Sequence, residues 1–303
     1  MDIFAPLYYR KFKCIAEKCD HSCCIGWEIQ VDESTISKIK KLDTPLSLEI
    51  LSHIEKENNC YFIESLDNGR CPFLTGCGLC KIISELGEEY TSEICREHPR
   101  FYNILSNRIE AGLGIACREA ARIILTDDEF YSFTRIGEWE SKPSDFSYDA
   151  TADRNYILDI LSKKDLSYRK KTETLESYYN VSPSLKSEDE WNDIIQSLEF
   201  LSESNKKLLT DINFSKTDFF EQHLTRFLAY MVYRHLSVSE SLRELRARFG
   251  FCLFCAQLLE SLIASDANPT EGKLVIYASL ISEEIEYSEE NTENLIFEFD
   301  CLI

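Results

Sequence analysis

A chain of 303 residues with 44% hydrophobic content is long enough for two domains with real cores, and its formal net charge of −20 excludes a phosphate backbone or an acidic lipid surface as principal partner. A cationic partner is favoured instead. The opening MDIFAPLYYRKFKC lacks the apolar core and cleavage site of a secretory signal, and no run of ~20 uninterrupted apolar residues follows, so a soluble cytoplasmic protein without a membrane span is expected.

In chain order, the alternation of Trp27, Ile29 and Val31 reads as a short strand. Residues 32–58 read as two short helices separated at Pro45. Asp67-Asn68-Gly69, between Tyr61–Leu66 and Arg70–Leu74, is a hairpin signal that presents Cys71 at its end. Residues 79–98 read as helix broken at Gly87 and stopped by Pro99, and 115–125 as a further helix. The polar, proline-bearing stretch 141–147 is the expected linker. Beyond it the pattern is helical. Ser187-x-x-Glu190 and Ser237-x-x-Glu240 read as capping boxes, the second opening a long apolar helix through Ala264. Asn268-Pro269 breaks the chain before a last helix pair, with a turn over Ser288–Thr292. The fold class is mainly α: an irregular cysteine-rich metal domain with a few short strands over 1–140, then an all-helical domain over 148–303.

The chemistry lies in the cysteines. The chain has thirteen, and all but Cys252, Cys255 and Cys301 precede residue 120. Without a signal for an oxidising compartment, reduced thiols for metal or redox chemistry are expected rather than a disulfide framework. Cores do not need so many thiols in so short a stretch, whereas iron–sulfur clusters and structural zinc need several thiolates gathered from sharply turning loops. The candidate ligands are Cys14, Cys19, Cys23, Cys24, Cys71, Cys80, Cys95 and Cys117, twice what one four-ligand site needs. Adjacent residues rarely ligate one ion, so Cys23 and Cys24 are expected to face different sides. The irregular spacing contains no paired Cys-x2-Cys knuckles in this region, which favours iron–sulfur, 4Fe-4S in kind, with zinc as the alternative.

Other groups weigh less. His98, beside Cys95, and His21, between Cys19 and Cys23, are further candidate ligands, each with a plain packing or solvent-facing alternative. Cys252-x2-Cys255 sits in an apolar helix and reads as core. Phe219, Phe227, Tyr230 and Tyr233 also read as core, His53, His223 and His235 as structural, and the acidic run 283–290 as solvated surface. Glu110-Ala-Gly112-Leu-Gly114 is the nearest approach to a glycine-rich nucleotide loop, but no βαβ pattern surrounds it, and a tight turn before the next helix is the competing reading.

Taken in order, Cys19-x3-Cys23-Cys24-x2-Trp27, Cys71-Pro72-Phe73-Leu74, Gly78-Leu79-Cys80, Gly87-Glu88, Cys95-x2-His98-Pro99-Arg100 and Cys117-Arg118-Glu119-Ala120-Ala121-Arg122 resemble the flagellin lysine-N-methylases, within a wider group of zinc- or iron-chelating cysteine-cluster proteins. The resemblance covers about residues 8–125, and Cys60 and Cys77 match none of its motifs. It implies transfer of a methyl group from S-adenosylmethionine to lysine side chains of flagellin, in the cytoplasm before export. Catalytic and donor-binding residues are not identified by it. The alternatives are a non-enzymatic metal-binding or metal-delivery module, and an interaction protein stapled by a structural zinc.

Overall fold

The structure, a computed structural model, describes residues 1–26, 29–67, 69–144, 148–210 and 212–303. Trp27 of the expected strand and first motif, Asn68 of the expected turn and 145–147 of the expected linker lie outside the described residues. The first part of the chain forms β1 (Asp2–Pro6), β2 (Ile29–Gln30), α1 (Glu33–Ile39), α2 (Pro45–Ser52), β3 (Ile54–Glu57) and β4 (Cys60–Ile63). There follow α3 (Lys81–Glu85), α4 (Glu93–Glu97), β5 (Arg100–Ile104), β6 (Ile109–Leu113), α5 (Arg118–Thr126) and β7 (Phe133–Glu138). The rest is α6 (Thr151–Ser162), α7 (Tyr168–Tyr179), α8 (Glu188–Ser197), α9 (Glu203–Leu209), α10 (Glu221–His235), α11 (Leu242–Ser265), α12 (Glu271–Ile281) and α13 (Glu289–Asp300). The protein is mainly helical, and from Thr151 onward the described residues form helices and their connections with no strand.

By packing, the chain divides into residues 13–100 and a larger unit of 1–12 with 101–303, whereas the sequence reading placed its boundary at 141–147. The reason is the first strand. β1 pairs in parallel with β6 and antiparallel with β7, so the chain's start is built into a sheet of order β5-β6-β1-β7. Such long-range pairing leaves no local signal.

In the smaller unit α1 and α2 form as expected, and Pro45 opens the second helix at its first position beneath a Thr44–Ser47 capping box. The hairpin falls earlier than expected. Asn58 and Asn59, both left-handed at φ 48° and 67°, turn β3 into β4, so residues 54–57 are strand rather than helix. A turn still forms at the expected place, where the Leu66 N–H donates to the Arg70 carbonyl; residues 61–63 of its first flank are strand, as part of β4, whereas 70–74 form none. The core beneath is small: eleven buried residues among those described, Ile36, Ile50, Phe73 and Cys71 being four of them.

The larger unit is organised around α11, whose Phe251, Cys252, Phe254, Cys255, Leu258 and Leu259 are fully buried. Trp191 of α8 packs its ring 4.4 Å from Phe254 and 5.1 Å from Phe299 of α13. Ser187 and Glu190 form the expected capping box. Ser237 does not cap α11; Ser241 does, accepting from the Glu244 N–H. The same pattern, Ser-x-x-Glu, occurs at both places, but Ser237 is buried and its hydroxyl is taken up by Arg154 and Glu110. By length and composition α11 is enough to cross a membrane, although charges interrupt its apolar run; 83% of its most apolar stretch is buried inside the protein.

A candidate metal centre and a buried ion network

Four of the eight candidate cysteines lie in the smaller unit within electrostatic reach of one another. Cys24 lies just before β2, Cys71 follows the turn after β4, Cys80 caps the start of α3 and Cys95 lies in α4. All six pairs among these thiols feel one another electrostatically: Cys71 is raised by Cys24, Cys80 and Cys95, Cys95 by Cys24 and Cys80, and Cys80 by Cys24. Burial is the larger cause in each. It pushes the Cys71 thiol up to about 12 and Cys95 up to about 11. Cys24 goes the other way, lowered to about 7 chiefly by a hydrogen bond from Cys23, with help from Ser22 and the nearby Arg70 guanidinium.

The scaffold fixes this grouping through backbone bonds. The Cys71 N–H donates to the Cys24 carbonyl at 2.8 Å, joining two of the thiol-bearing segments. Asp32, which caps α1, also accepts from the Glu93 N–H at 3.0 Å and so ties the start of α4 to α1; the Ser92 hydroxyl reaches the Cys95 sulfur at 3.1 Å. Arg70 donates to the carbonyls of Leu74 and Thr75 and braces the loop leading to Cys80.

As a donor set, three thiols that burial makes expensive to ionise, beside a fourth that ionises readily, are what a soft cation or an iron–sulfur cluster compensates. No three His, Cys, Asp or Glu side chains among the described residues are arranged to hold an ion as they stand, so binding requires the thiols to draw closer.

Of the other candidates, Cys23 lies against this group, through Cys24. Cys14, Cys19 and Cys23 lie on the loop before β2, where the Cys14 sulfur accepts from the Ala16 N–H and the Cys19 thiol donates to the His21 carbonyl. Cys23 is exposed and Cys24 half-buried, yet their thiols hydrogen-bond rather than facing wholly apart. Cys117 belongs to the larger unit, at the cap of α5. His98 is held to about 4 by burial and by His21, and its Nε2 is buried without a hydrogen-bond partner. Cys252 and Cys255 are core, as expected.

The larger unit holds a buried ion network that the sequence reading missed. The run 283–290 is not uniformly solvated surface: Glu284 and Glu286 are buried, and only Glu289 and Glu290 are exposed. Residues 282–286 form a π-helical turn. It places the Glu286 carboxylate against Arg234 Nε at 3.0 Å, His235 Nε2 at 2.8 Å and the Tyr230 hydroxyl at 2.8 Å. Burial alone would raise this acid, but Arg234 and the bonds from His235 and Ser282 hold it below the ordinary carboxylate range. A second buried pair joins Glu110 of β6 to Arg154 of α6. The signal available for the first was an Arg-His pair ending an otherwise apolar stretch of α10.

The glycines of the 110–114 segment serve packing. A Cβ on Gly112 would overlap the Phe101 ring, and one on Gly114 the Tyr287 hydroxyl. The turn before α5, closed by the Cys117 N–H on the Gly114 carbonyl at 3.4 Å, is the competing reading borne out. Phe227, Tyr230 and Tyr233 are core as expected, but Phe219 is 64% exposed.

Sequence comparison supplies a family for this arrangement. The chain is 32% identical over 130 residues to Lysine-N-methylase of Salmonella typhimurium (strain LT2), and equally to that of Salmonella choleraesuis (strain SC-B67), the match covering 41% of this chain. It is 30% identical over 130 residues to the flagellar biosynthetic protein FliU of Salmonella muenchen, covering 77% of that protein. The chain belongs to the flagellin lysine-N-methylase family, which includes these proteins. The matched region spans about a third, 32%, of each of the two lysine-N-methylases. No protein-family model and no solved structure matches the chain.

Proposed function

We propose that the chain transfers methyl groups from S-adenosylmethionine to lysine side chains of flagellin in the cytoplasm, and that Cys24, Cys71, Cys80 and Cys95 hold a metal centre for that work. An iron–sulfur cluster of the 4Fe-4S kind is the leading occupant and zinc the alternative. The observation that carries the metal site is the mutual interaction of all six thiol pairs. The relatives' names carry the reaction.

When bound, an iron–sulfur cluster supplies soft Lewis-acid and electron-transfer chemistry. The chain's own groups prepare the site. Cys24, near 7, is the thiol most readily ionised, and it offers the first foothold for a cation, with Arg70 beside it to offset the thiolates' charge. Ser92 and Asp32 hold Cys95 and its helix in place. The incoming lysine must lose a proton, which costs about 4–5 kcal/mol at neutral pH from its ordinary value. The net charge of −20 draws in a cationic side chain but works against that deprotonation, so the amine has to be desolvated at the site.

The test is methyl transfer from labelled S-adenosylmethionine to flagellin lysines by the anaerobically purified chain. Cys80→Ala and Cys95→Ala are each expected to lose metal and methyl transfer together. A folded, iron-free preparation that methylates at the original rate would overturn the metal's part.

A further inference from the structure

The larger unit carries a pair of exposed aromatic rings that neither the thiol group nor the buried ion network uses. Tyr156 of α6 and Tyr178 of α7 pack with ring centroids 4.9 Å apart at a tilt of 41°, and Tyr178 meets Tyr179, also at 4.9 Å, at 73°. Tyr156 is 38% exposed and Tyr178 63%, whereas Tyr179 is buried and anchors the pair against Phe249 of α11, 5.5 Å away. The two outer rings form a shelf with an open apolar face, a surface that in a water-soluble fold marks contact with something else.

Two carboxylates flank the shelf. Asp153 and Asp159 lie one turn before and one turn after Tyr156 on the same side of α6. The Asp153 carboxylate is fixed by the hydroxyls of Tyr148 at 2.7 Å and Tyr179 at 3.0 Å, while Asp159 is open to solvent with Lys163 Nζ 3.9 Å away. Arg246, which reaches the same end of α7, is taken up by the Tyr179 and Asn180 carbonyls.

Ring faces beside carboxylates attract a cation. Elsewhere the chain satisfies that attraction itself, with Lys56 over Tyr61, Lys206 over Phe200 and Arg234 over Tyr287. Among the described residues no lysine or arginine lies over Tyr156 or Tyr178, which leaves the shelf for a cation from outside the chain, and the net charge of −20 draws one in. Hydration decides which cation. A plain ammonium is strongly hydrated, and an open shelf offers no buried partner to replace its water. Each added N-methyl group removes a hydrogen-bond donor and adds apolar surface while the charge stays, so methylated lysine is the better guest.

We propose that the Tyr156–Tyr178 shelf binds methylated lysine side chains, with Asp153 and Asp159 supplying the counter-charge, and so retains a modified segment of the substrate. The retention rests on the methyl-transfer reading above; the binding is measured without turnover.

The measurement is ligand-observed NMR with the folded full chain and a short peptide whose central lysine is unmodified, mono-, di- or trimethylated, beside the neutral carbon isostere of the trimethylated form. The N-methyl signal is expected to move upfield as protein is added, because the methyl groups sit over a ring face. Affinity is expected to rise with each methyl group, and the trimethylated peptide to bind about fourfold more tightly than its isostere. Tyr178→Phe keeps the ring and should bind within about twofold of the unsubstituted protein, whereas Tyr178→Leu keeps apolar bulk without a ring face and should lose about fourfold. Because this side chain is mostly exposed, the thermal midpoint should not change. Should Tyr178→Leu not fold, Tyr156→Leu and the isostere decide. Equal binding of the isostere would assign the shelf to an apolar partner, and a dimer in sedimentation that Tyr178→Leu dissociates would assign it to a second copy of the chain. Either result overturns the proposal, as do absence of binding, equal binding of unmodified lysine, or undiminished affinity in folded Tyr178→Leu. Failure of methyl transfer from S-adenosylmethionine would sink the functional reading and leave the peptide result standing.

Discussion

The two units solve the problem of cohesion differently. Residues 13–100 bury eleven apolar residues in one small cluster, among the described residues, while the larger unit buries a continuous core from Tyr8 to Phe299 around a 24-residue helix. A thin core offsets less of the entropy of ordering such a stretch, and the metal proposed above would supply the difference. Where the core is thick, thiols are mere packing, as Cys252 and Cys255 show. On the proposed reading the same residue type has two roles, decided by how much apolar surface surrounds it.

The largest effect that would break this comparison comes from Cys71→Ser in the metal-loaded protein. Metal content should fall to background, and limited proteolysis should cut within 13–100 while the larger unit keeps its thermal transition. The metal's contribution is expected to exceed about 5 kcal/mol by analogy with small cysteine sites. Intact resistance to protease in the variant would show that the small core suffices.

Next is the ion network. Glu286→Gln leaves Arg234 buried without its counter-charge, and urea unfolding of the larger unit should lose about 3–5 kcal/mol. Glu284, two residues earlier, is raised by burial and accepts from the Leu201 N–H and Asn205. Glu284→Gln keeps an acceptor and should change stability by less than about 1 kcal/mol.

A third test uses pH. The His98 imidazole is held to about 4 in the folded state against an ordinary 6.5, so the folded state binds fewer protons between those values. Its contribution is full above 6.5 and is lost as pH falls toward 4, by roughly 3 kcal/mol over the whole window. His98→Phe should flatten that part of the smaller unit's stability profile. The profile of the larger unit, followed by its own transition, should not respond to this change.

The smallest effect is in the packing thiols. Cys255→Ala should cost about 1 kcal/mol and leave metal content unchanged. A fall in metal content there would contradict the division of roles.

Much of this was legible before folding. The thiols stood out as a set because no core needs them so densely, and the helices of the last half announced themselves through their caps and apolar spacing. Which four thiols lie near one another was not legible, since the ties are between residues far apart in sequence: the Cys71 N–H on the Cys24 carbonyl, and the Glu93 N–H at the start of α4 on Asp32. The four-stranded sheet was hidden for two reasons. β1 and β6 pair across a hundred residues, and IEAGL, buried on both faces, shows no alternation. Glu286 was hidden by its neighbours. An acidic run reads as surface unless something reveals the π-helical turn that brings one carboxylate inward.

The most direct test of the central claim is the iron, zinc and acid-labile sulfide content of the anaerobically purified chain, alongside a variant with Cys24, Cys71, Cys80 and Cys95 all changed to Ser. The account predicts about four irons and four sulfides per chain in the first and none in the second. Zinc without sulfide, or iron and sulfide that survive loss of these four thiols, would contradict it.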